Sequence, residues 1–288
     1  MTEIERGILY LVATPIGNLA DFSFRAVEIL KRVDLIACED TRHSRLLLDH
    51  YGIDRPLVAF HEHNEETATP QLLERLRQGQ AVALIADAGT PLVNDPGFPL
   101  VRSARAAGIR VTPIPGPCAL IAALSASGLP THRFAFEGFP PRRSAARRAR
   151  FEALRDEPRT LIFYEASHRI MDTLQDLAAI FPPERPIVIA RELTKRFETI
   201  TASTVGEAGA LLERQPEQRR GEFVLVLGGA PEASPGDGLC PDQERVLRLL
   251  LEECSLRTAV ALTARITGVS REAAYRTALR WCGQGGAG

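Results

Sequence analysis

The apolar positions of this chain fall into a repeating order. Short continuous apolar runs occur at residues 8–14, 35–39, 57–61, 81–87 and 110–115, the pattern of strands buried on both faces. Between them, residues 24–33, 44–51, 70–78 and 99–107 carry apolar side chains three and four apart, which predicts amphipathic helices. Such alternation predicts a parallel sheet covered on both sides, built with right-handed crossovers. A second α/β unit starts near Cys118. Residues 118–127 read as a packed helix, and strands are expected at 134–138, 160–165, 187–191, 199–203 and 223–227. Threonine-rich and β-branched stretches in the last three suggest a mixed sheet. Residues 228–238 have linker composition, and 241–281 show helical periodicity throughout. Within that tail, 263–279 read as two short helices around a glycine-containing turn, and 284–288 are expected to be disordered. No internal repeat is found. The expected domains are 1–117, 118–230, and a linker with a helical tail at 231–288.

Composition narrows the class. The 288 residues are 45% hydrophobic and 25% charged, the balance of a soluble globular protein with ample core. No apolar run approaches the roughly 18 residues of a bilayer span. The start of the chain lacks the basic opening and long apolar stretch of a signal peptide, so a cytoplasmic protein without a membrane partner is expected. A net charge of −1 gives no global pull toward nucleic acid. Of 35 basic residues only Lys31 and Lys195 are lysines. The five cysteines, Cys38, Cys118, Cys240, Cys254 and Cys282, never show C-x-x-C spacing, so neither a disulfide framework nor a zinc site is expected.

In doubly wound sheets ligands bind where loops leave the carboxyl ends of strands. The loops expected there carry unusual residues. The first, Thr14-Pro15-Ile16-Gly17-Asn18, is a Pro/Gly turn that a ligand can approach closely, or an ordinary strand-to-helix turn. Neither G-x-G-x-x-G nor G-x-x-x-x-G-K-[ST] occurs, so dinucleotide and ATP phosphate chemistry lose support. The second, Glu39-Asp40-Thr41-Arg42, ends a buried strand in two acids and a guanidinium. Acids there are costly to desolvate unless paired or functional, and Asp40 or Thr41 also suits a helix N-cap; both readings stay open. The third, Asp87-Ala88-Gly89-Thr90, offers a carboxylate for a ribose hydroxyl or amino group beside a permissive glycine. The fourth, Pro115-Gly116-Pro117-Cys118-Ala119, opens a helix whose free N–H groups can hold an anion such as a carboxylate. His61-Glu62-His63-Asn64-Glu65-Glu66 resembles a metal cluster but has no third histidine at helical spacing, so a substrate-contacting or plain polar loop is favoured over a metal site. In the second unit Tyr164-Glu165-Ala166-Ser167-His168-Arg169 and Arg191-Glu192-Leu193-Thr194-Lys195 again end strands, as functional groups or as capping salt bridges. His168 can serve as a base near neutral pH. The run Arg142, Arg143, Arg147, Arg148 and Arg150 suits a solvated helix face or a phosphate backbone.

Read in order, the stretches LYLVATPIGNLADFS, CEDTR, FHEHNE, ADAGTPLVNDPG, PGPCA, FEGFPPR, FYEASHR, ARELTKRFE and GEFVLVLGG resemble the ribosomal RNA small subunit methyltransferase I family of the tetrapyrrole methylase superfamily. The helical tail is similar to that family's C-terminus. The chain departs at Ala86 and Cys118, where the family favours serine, and at Ser167, where it favours proline. The resemblance implies two α/β domains with S-adenosylmethionine in the cleft between them, and a homodimer. It implies methylation of the ribose 2′-oxygen of a decoding-region cytidine in 16S rRNA, within the assembled small subunit and without a metal. Cofactor contacts are then expected from Thr14, Pro15, Asp87, Ala88, Gly89, Thr90, Pro115, Gly116, Pro117, Cys118, Ala119, Tyr164 and Glu165. The catalytic and substrate shell is expected from Glu39, Asp40, Arg42, Glu165, His168, Arg169, Glu192 and Lys195, with Lys195 steadying an alkoxide and Glu192 or His168 taking the proton. Two rival readings are a tetrapyrrole methylase, which the ATPIGN turn disfavours against a GPGD-like one, and a non-catalytic RNA-binding factor, which the intact strand-end acids disfavour.

Overall fold

The structure, a computed structural model, describes residues 6–231 and 239–284. The first sheet holds β1 (Ile8–Val12), β2 (Leu35–Cys38), β3 (Leu57–Ala59), β4 (Val82–Ile85) and β5 (Arg110–Ile114), in the order β3-β2-β4-β1-β5. Every pairing is parallel. Alternate side chains feed two cores, as a pleat buried on both faces requires. Ile8, Tyr10 and Val12 pack with Ala26, Ile29 and Leu30 of α1 (Phe24–Leu30) and Leu48 of α2 (Thr41–His50). Leu9, Val82 and Leu84 pack with Leu72 and Leu76 of α3 (Glu65–Arg77) and Leu100 and Ala104 of α4 (Phe98–Ala106).

Helix starts are where the sequence reading needed correction. α2 opens at Thr41 rather than 44, because the Asp40 carboxylate accepts the Arg42 and His43 N–H groups at 2.8 and 3.3 Å. α3 opens five residues before the expected 70 and carries Pro70 inside it. Proline usually marks a first turn, but here Glu65 and Glu66 at the positive end of the helix favour the earlier start.

The second sheet runs β6-β7-β10-β8-β9, from β6 (Phe134–Phe136), β7 (Thr160–Ala166), β8 (Pro186–Arg191), β9 (Thr199–Thr204) and β10 (Glu222–Leu227). β6 and β7 are parallel and the other pairs antiparallel, so the sheet is mixed. One face packs on α6 (Ser144–Ala153), α7 (Ile170–Ile180) and α8 (Val205–Glu213) through Phe151, Leu174 and Leu212. The other face packs on α5 (Ala119–Ala126), and Ile16 and Val93 from loops of the first sheet join that cluster. The fold is therefore α/β, with the first sheet's loops delivered to one face of the second.

Residues 1–229 form one compact unit and 230–288 another. The division expected at 117/118 separates the two sheets inside the first unit. The second contains α9 (Pro241–Glu253), α10 (Leu256–Thr267) and α11 (Arg271–Gln284) around Leu247, Ala259, Val260, Ala274 and Ala278. Ser255 caps α10, left-handed Gly268 ends it, and Ser270 accepts the Ala273 N–H to start α11. Gln284, expected in a disordered tail, closes α11; residues 285–288, and 232–238 of the expected linker, lie outside the described residues.

The arginine run divides on folding. Arg147 is only 3% exposed. Its Nε and Nη2 meet Asp176 Oδ2 at 2.7 and 2.6 Å, and Nη1 donates to the Pro141 and Arg142 carbonyls. Removing one partner of such a buried pair leaves the other charge uncompensated. Arg147→Ala should therefore lower unfolding free energy by about 3–5 kcal/mol in urea denaturation. A loss too small to resolve would show that the pair does not brace α6 on α7.

Candidate active site

One cavity of about 380 Å³ opens where loops of the first sheet meet the second. That is within the 300–1,000 Å³ range of small-molecule sites. Asp87, Ala88, Gly89 and Thr90 line it after β4, and Cys118 and Ala119 line it at the start of α5. The second sheet supplies Tyr164, Glu165, Leu193 and Glu222.

Thr14 and Pro15 are buried behind the wall. Thr14 and Gly89 exchange both backbone hydrogen bonds, at 2.9 and 3.1 Å, and the Thr14 hydroxyl donates to the Ala86 carbonyl at 3.1 Å. Thr90 Oγ1 donates to the Pro117 carbonyl at 3.0 Å, fastening the fourth loop to the third. Pro115 and Gly116 are exposed and do not line the cavity. The expected anion site at the start of α5 is partly occupied, because the Leu120 N–H donates to the Tyr164 hydroxyl at 3.1 Å.

The charge of the wall is acidic. Asp95, which sequence reasoning did not select, lines the cavity, and burial together with Glu39 and Asp87 pushes its carboxyl up to about 7. Glu39 is raised as well, chiefly by burial and then by Asp87 and Glu62. Asp40 goes the other way, lowered by the two helix N–H groups it caps, while its own N–H donates to Asp87 Oδ1 at 3.2 Å. The capping reading of Asp40 thus holds, and the residue also positions a wall carboxylate. The available signal for Asp95 was the N-D-P-G turn, whose burial depends on the fold.

Other expected residues stand differently. Arg42 is 93% exposed and His168 is exposed, and neither lines the cavity. Glu165 is buried. Its Oε1 accepts from the Ala166 N–H at 2.9 Å and its Oε2 from Thr173 Oγ1 at 2.5 Å, with Arg169 Nε 3.4 Å away. Arg169 also donates to the Pro140 and Pro141 carbonyls. Glu165 and Arg169 therefore bracket β7, α7 and the loop after β6.

Lys195 Nζ donates to Glu222 Oε2 at 2.7 Å and Glu192 Oε1 at 3.0 Å. Burial works to lower its pKa, but these two bonds outweigh it and hold the ammonium charged. Glu192 is lowered overall, its burial outweighed by the Glu222 N–H and Lys195. The lysine stem crosses to the first loop: a Cβ on Gly17, φ +142°, would come within 2.5 Å of Lys195 Cγ. Only glycine leaves room for that crossing. Among the described residues, positive φ without glycine occurs at Leu92, Asn94, Glu192 and Thr194. All four lie in the two loops that bring Asp95 and Leu193 to the cavity, a concentration of backbone strain typical of functional sites.

His61 and His63 stack edge to face at 5.9 Å, and no group of three His, Cys, Asp or Glu suited to a metal occurs among the described residues. Cys38, Cys118, Cys240 and Cys254 are free thiols.

The chain resembles known proteins over nearly its whole length. The model of the Tetrapyrrole (Corrin/Porphyrin) Methylases matches residues 8–209, and that of the RsmI C-terminal HTH domain matches 237–281. The chain is 51% identical to the ribosomal RNA small subunit methyltransferase I of Haemophilus influenzae, over 97% of this chain and 98% of that protein. It is 53% identical to the Pseudomonas aeruginosa protein of the same name, over 95% and 97%. Among solved structures, the uroporphyrin-III-C-methyltransferase of Thermus thermophilus superposes with a TM-score of 0.54 at 26% identity, covering 77% of this chain and 94% of that one. Cobalt precorrin-4 methyltransferase, at 15% identity and a TM-score of 0.56, shares the fold over 79% and 98%.

Asp95 ties stability to pH. Its folded pKa lies above the unfolded value, so its contribution is fully present below about pH 4 and is lost as pH rises through about 7. Glu39 has the same sign. Urea midpoints at pH 5 and pH 8 should show the free protein losing stability across that window, and Asp95→Asn should lose less. An identical loss in the variant would mean that Asp95 titrates as an ordinary surface carboxylate.

Proposed function

This chain belongs to the ribosomal RNA small subunit methyltransferase I family, within the tetrapyrrole methylases, and from that premise we propose that it moves a methyl group from S-adenosylmethionine to the ribose 2′-oxygen of a decoding-region cytidine in 16S rRNA. The observation that carries this reading is the convergence of the loops after β1, β4, β5 and β8 with the end of β7 on one cleft whose charged lining is entirely carboxylate. A sulfonium and an α-ammonium complement that lining, while Ile16, Ala119 and Leu193 offer apolar surface to the rest of the cofactor.

Asp87, Ala88, Gly89, Thr90, Cys118, Ala119 and Tyr164 would hold the cofactor, and Thr14, Pro15 and Pro117 fix the loops that carry them. When bound, it supplies an electrophilic methyl carbon on sulfur. The chain's task is then alignment of an in-line displacement away from bulk water. Lys195, held charged between Glu192 and Glu222, steadies the ribose oxygen as its proton leaves. Glu192 is occupied by that lysine and His168 stands off the cavity. Asp95, about half protonated near neutral pH, is the wall carboxylate suited to receive the hydroxyl proton. The assembled small subunit as substrate, a homodimer and a cytoplasmic location belong to the same reading. No helix among the described residues is long and apolar enough to cross a membrane.

The reading is tested by incubating the protein with methyl-labelled S-adenosylmethionine and either small subunits from a strain lacking the enzyme or uroporphyrinogen. Label on one cytidine ribose, mapped by mass spectrometry, is expected. Label on the tetrapyrrole alone, or on neither, overturns it. Lys195→Ala should reduce turnover on subunits by about 10²-fold or more, with a much smaller change in cofactor affinity. Unchanged turnover would remove Lys195 from the mechanism.

A further inference from the structure

The loop after β6, Gly138-Phe139-Pro140-Pro141-Arg142-Arg143, is absorbed by none of the roles above, and it is built with unusual care. Phe139 lines the cavity yet is 47% exposed, so its ring stands at the mouth. Its inner edge rests on Tyr164, with centroids 5.7 Å apart and planes at 65°. Gly138, at φ +65°, lets Asn94 of the first half approach, since a Cβ there would lie 2.9 Å from Asn94 Oδ1. From beneath, the Arg169 guanidinium donates to the Pro140 and Pro141 carbonyls, and that of Arg147 to the Pro141 and Arg142 carbonyls. Two consecutive prolines remove further backbone freedom. A loop fixed this firmly presents its side chains already ordered, which lowers the entropic cost of binding.

The charges it presents are unbalanced. Three carboxylates on neighbouring elements are engaged: Glu137 by Arg150, Asp176 by Arg147, Arg148 and Ser144, and Glu165 by Arg169 and Thr173. Arg142 and Arg143 are exposed, and among the described residues no acid pairs with either. Three and four residues beyond Phe139, they lie within roughly 10–14 Å of it along the chain. An exposed ring followed by two exposed guanidiniums matches a nucleotide strand, with a π-face to stack and phosphates to neutralise.

We propose that this loop is the substrate clamp of the site: Phe139 stacks on a base at or next to the nucleotide entering the cavity, and Arg142 and Arg143 hold the flanking phosphates. The clamp rests on the RNA-methylating reading above. Arg169 is a positioning residue, acting through the two proline carbonyls it holds.

The test uses the full chain and purified unmethylated small subunits, and measures methyl transfer together with binding at several KCl concentrations. Phe139→Leu keeps apolar bulk but removes the ring, and should weaken subunit binding roughly 5- to 150-fold, with Phe139→Trp restoring it. Replacing both Arg142 and Arg143 with glutamine should make the negative slope of log affinity against log salt shallower by about 1.4 to 1.8. Urea midpoints matching the parent protein show that each variant is folded. Subunit affinity and salt slope equal to the parent's overturn the clamp while leaving the functional reading intact. Failure of the parent protein itself to methylate subunit RNA overturns the reading on which the clamp rests. If Phe139→Leu changes the oligomeric state of the free protein and spares subunit binding, the ring belongs to an interface between copies and the clamp is wrong.

Discussion

Thr14 and Gly89 trade two backbone hydrogen bonds across the ends of β1 and β4, and the site depends on that small bridge. The strands of a parallel sheet buried on both faces can show polar groups only at their ends. Loops at those ends are free to diverge unless something ties them. Here the bridge ties the first loop to the third, Thr90 ties the third to the fourth, and the Asp40 N–H ties the second to Asp87. Four segments far apart in the chain become one wall.

The wall carries like charges at close range, which is unfavourable until something positive arrives. Burial raises the cost of ionising Asp95, and Glu39 and Asp87 add to it; burial and then Asp87 do the same to Glu39. Backbone strain sits in the same place, at Leu92, Asn94, Glu192 and Thr194. A fold tolerates both only when the surrounding cores over-determine the loops. The two-sided core of the first sheet, and α5 packed on the second sheet together with Ile16 and Val93, provide that support.

Arginine does most of the bracing. Arg185 is buried and donates to the Gly228, Arg155 and Glu157 carbonyls. Arg147 and Arg169 grip proline carbonyls in the same manner. A guanidinium offers five donors in a rigid fork, so one side chain can satisfy several orphan carbonyls where a lysine would reach fewer. Lys195 does a different task. Its flexible stem packs past Gly17 of the first loop, while its compact charge stays on Glu192 and Glu222 of the second sheet.

The hydrophobic period by itself determined both sheets, most helices and the strand ends at which the site lies, because burial on two faces writes a continuous apolar run into the sequence. It also made Asp87–Thr90 and Cys118–Ala119 legible as cavity residues, since each follows a strand, and Tyr164, since it stands near the end of one. Helix starts at Thr41 and Glu65 were hidden, as caps and end charges override the apolar count. Only the tertiary structure decided which polar residues face the cavity and which brace it. Glu165, Arg169 and Arg147 look functional as a charge run, yet their partners lie in elements the local sequence does not name. Asp95 looks like an ordinary turn residue, and its raised pKa exists because Glu39 and Asp87 arrive from other strands. Periodicity is a property of neighbours in the chain, whereas desolvation and pairing are properties of neighbours in space.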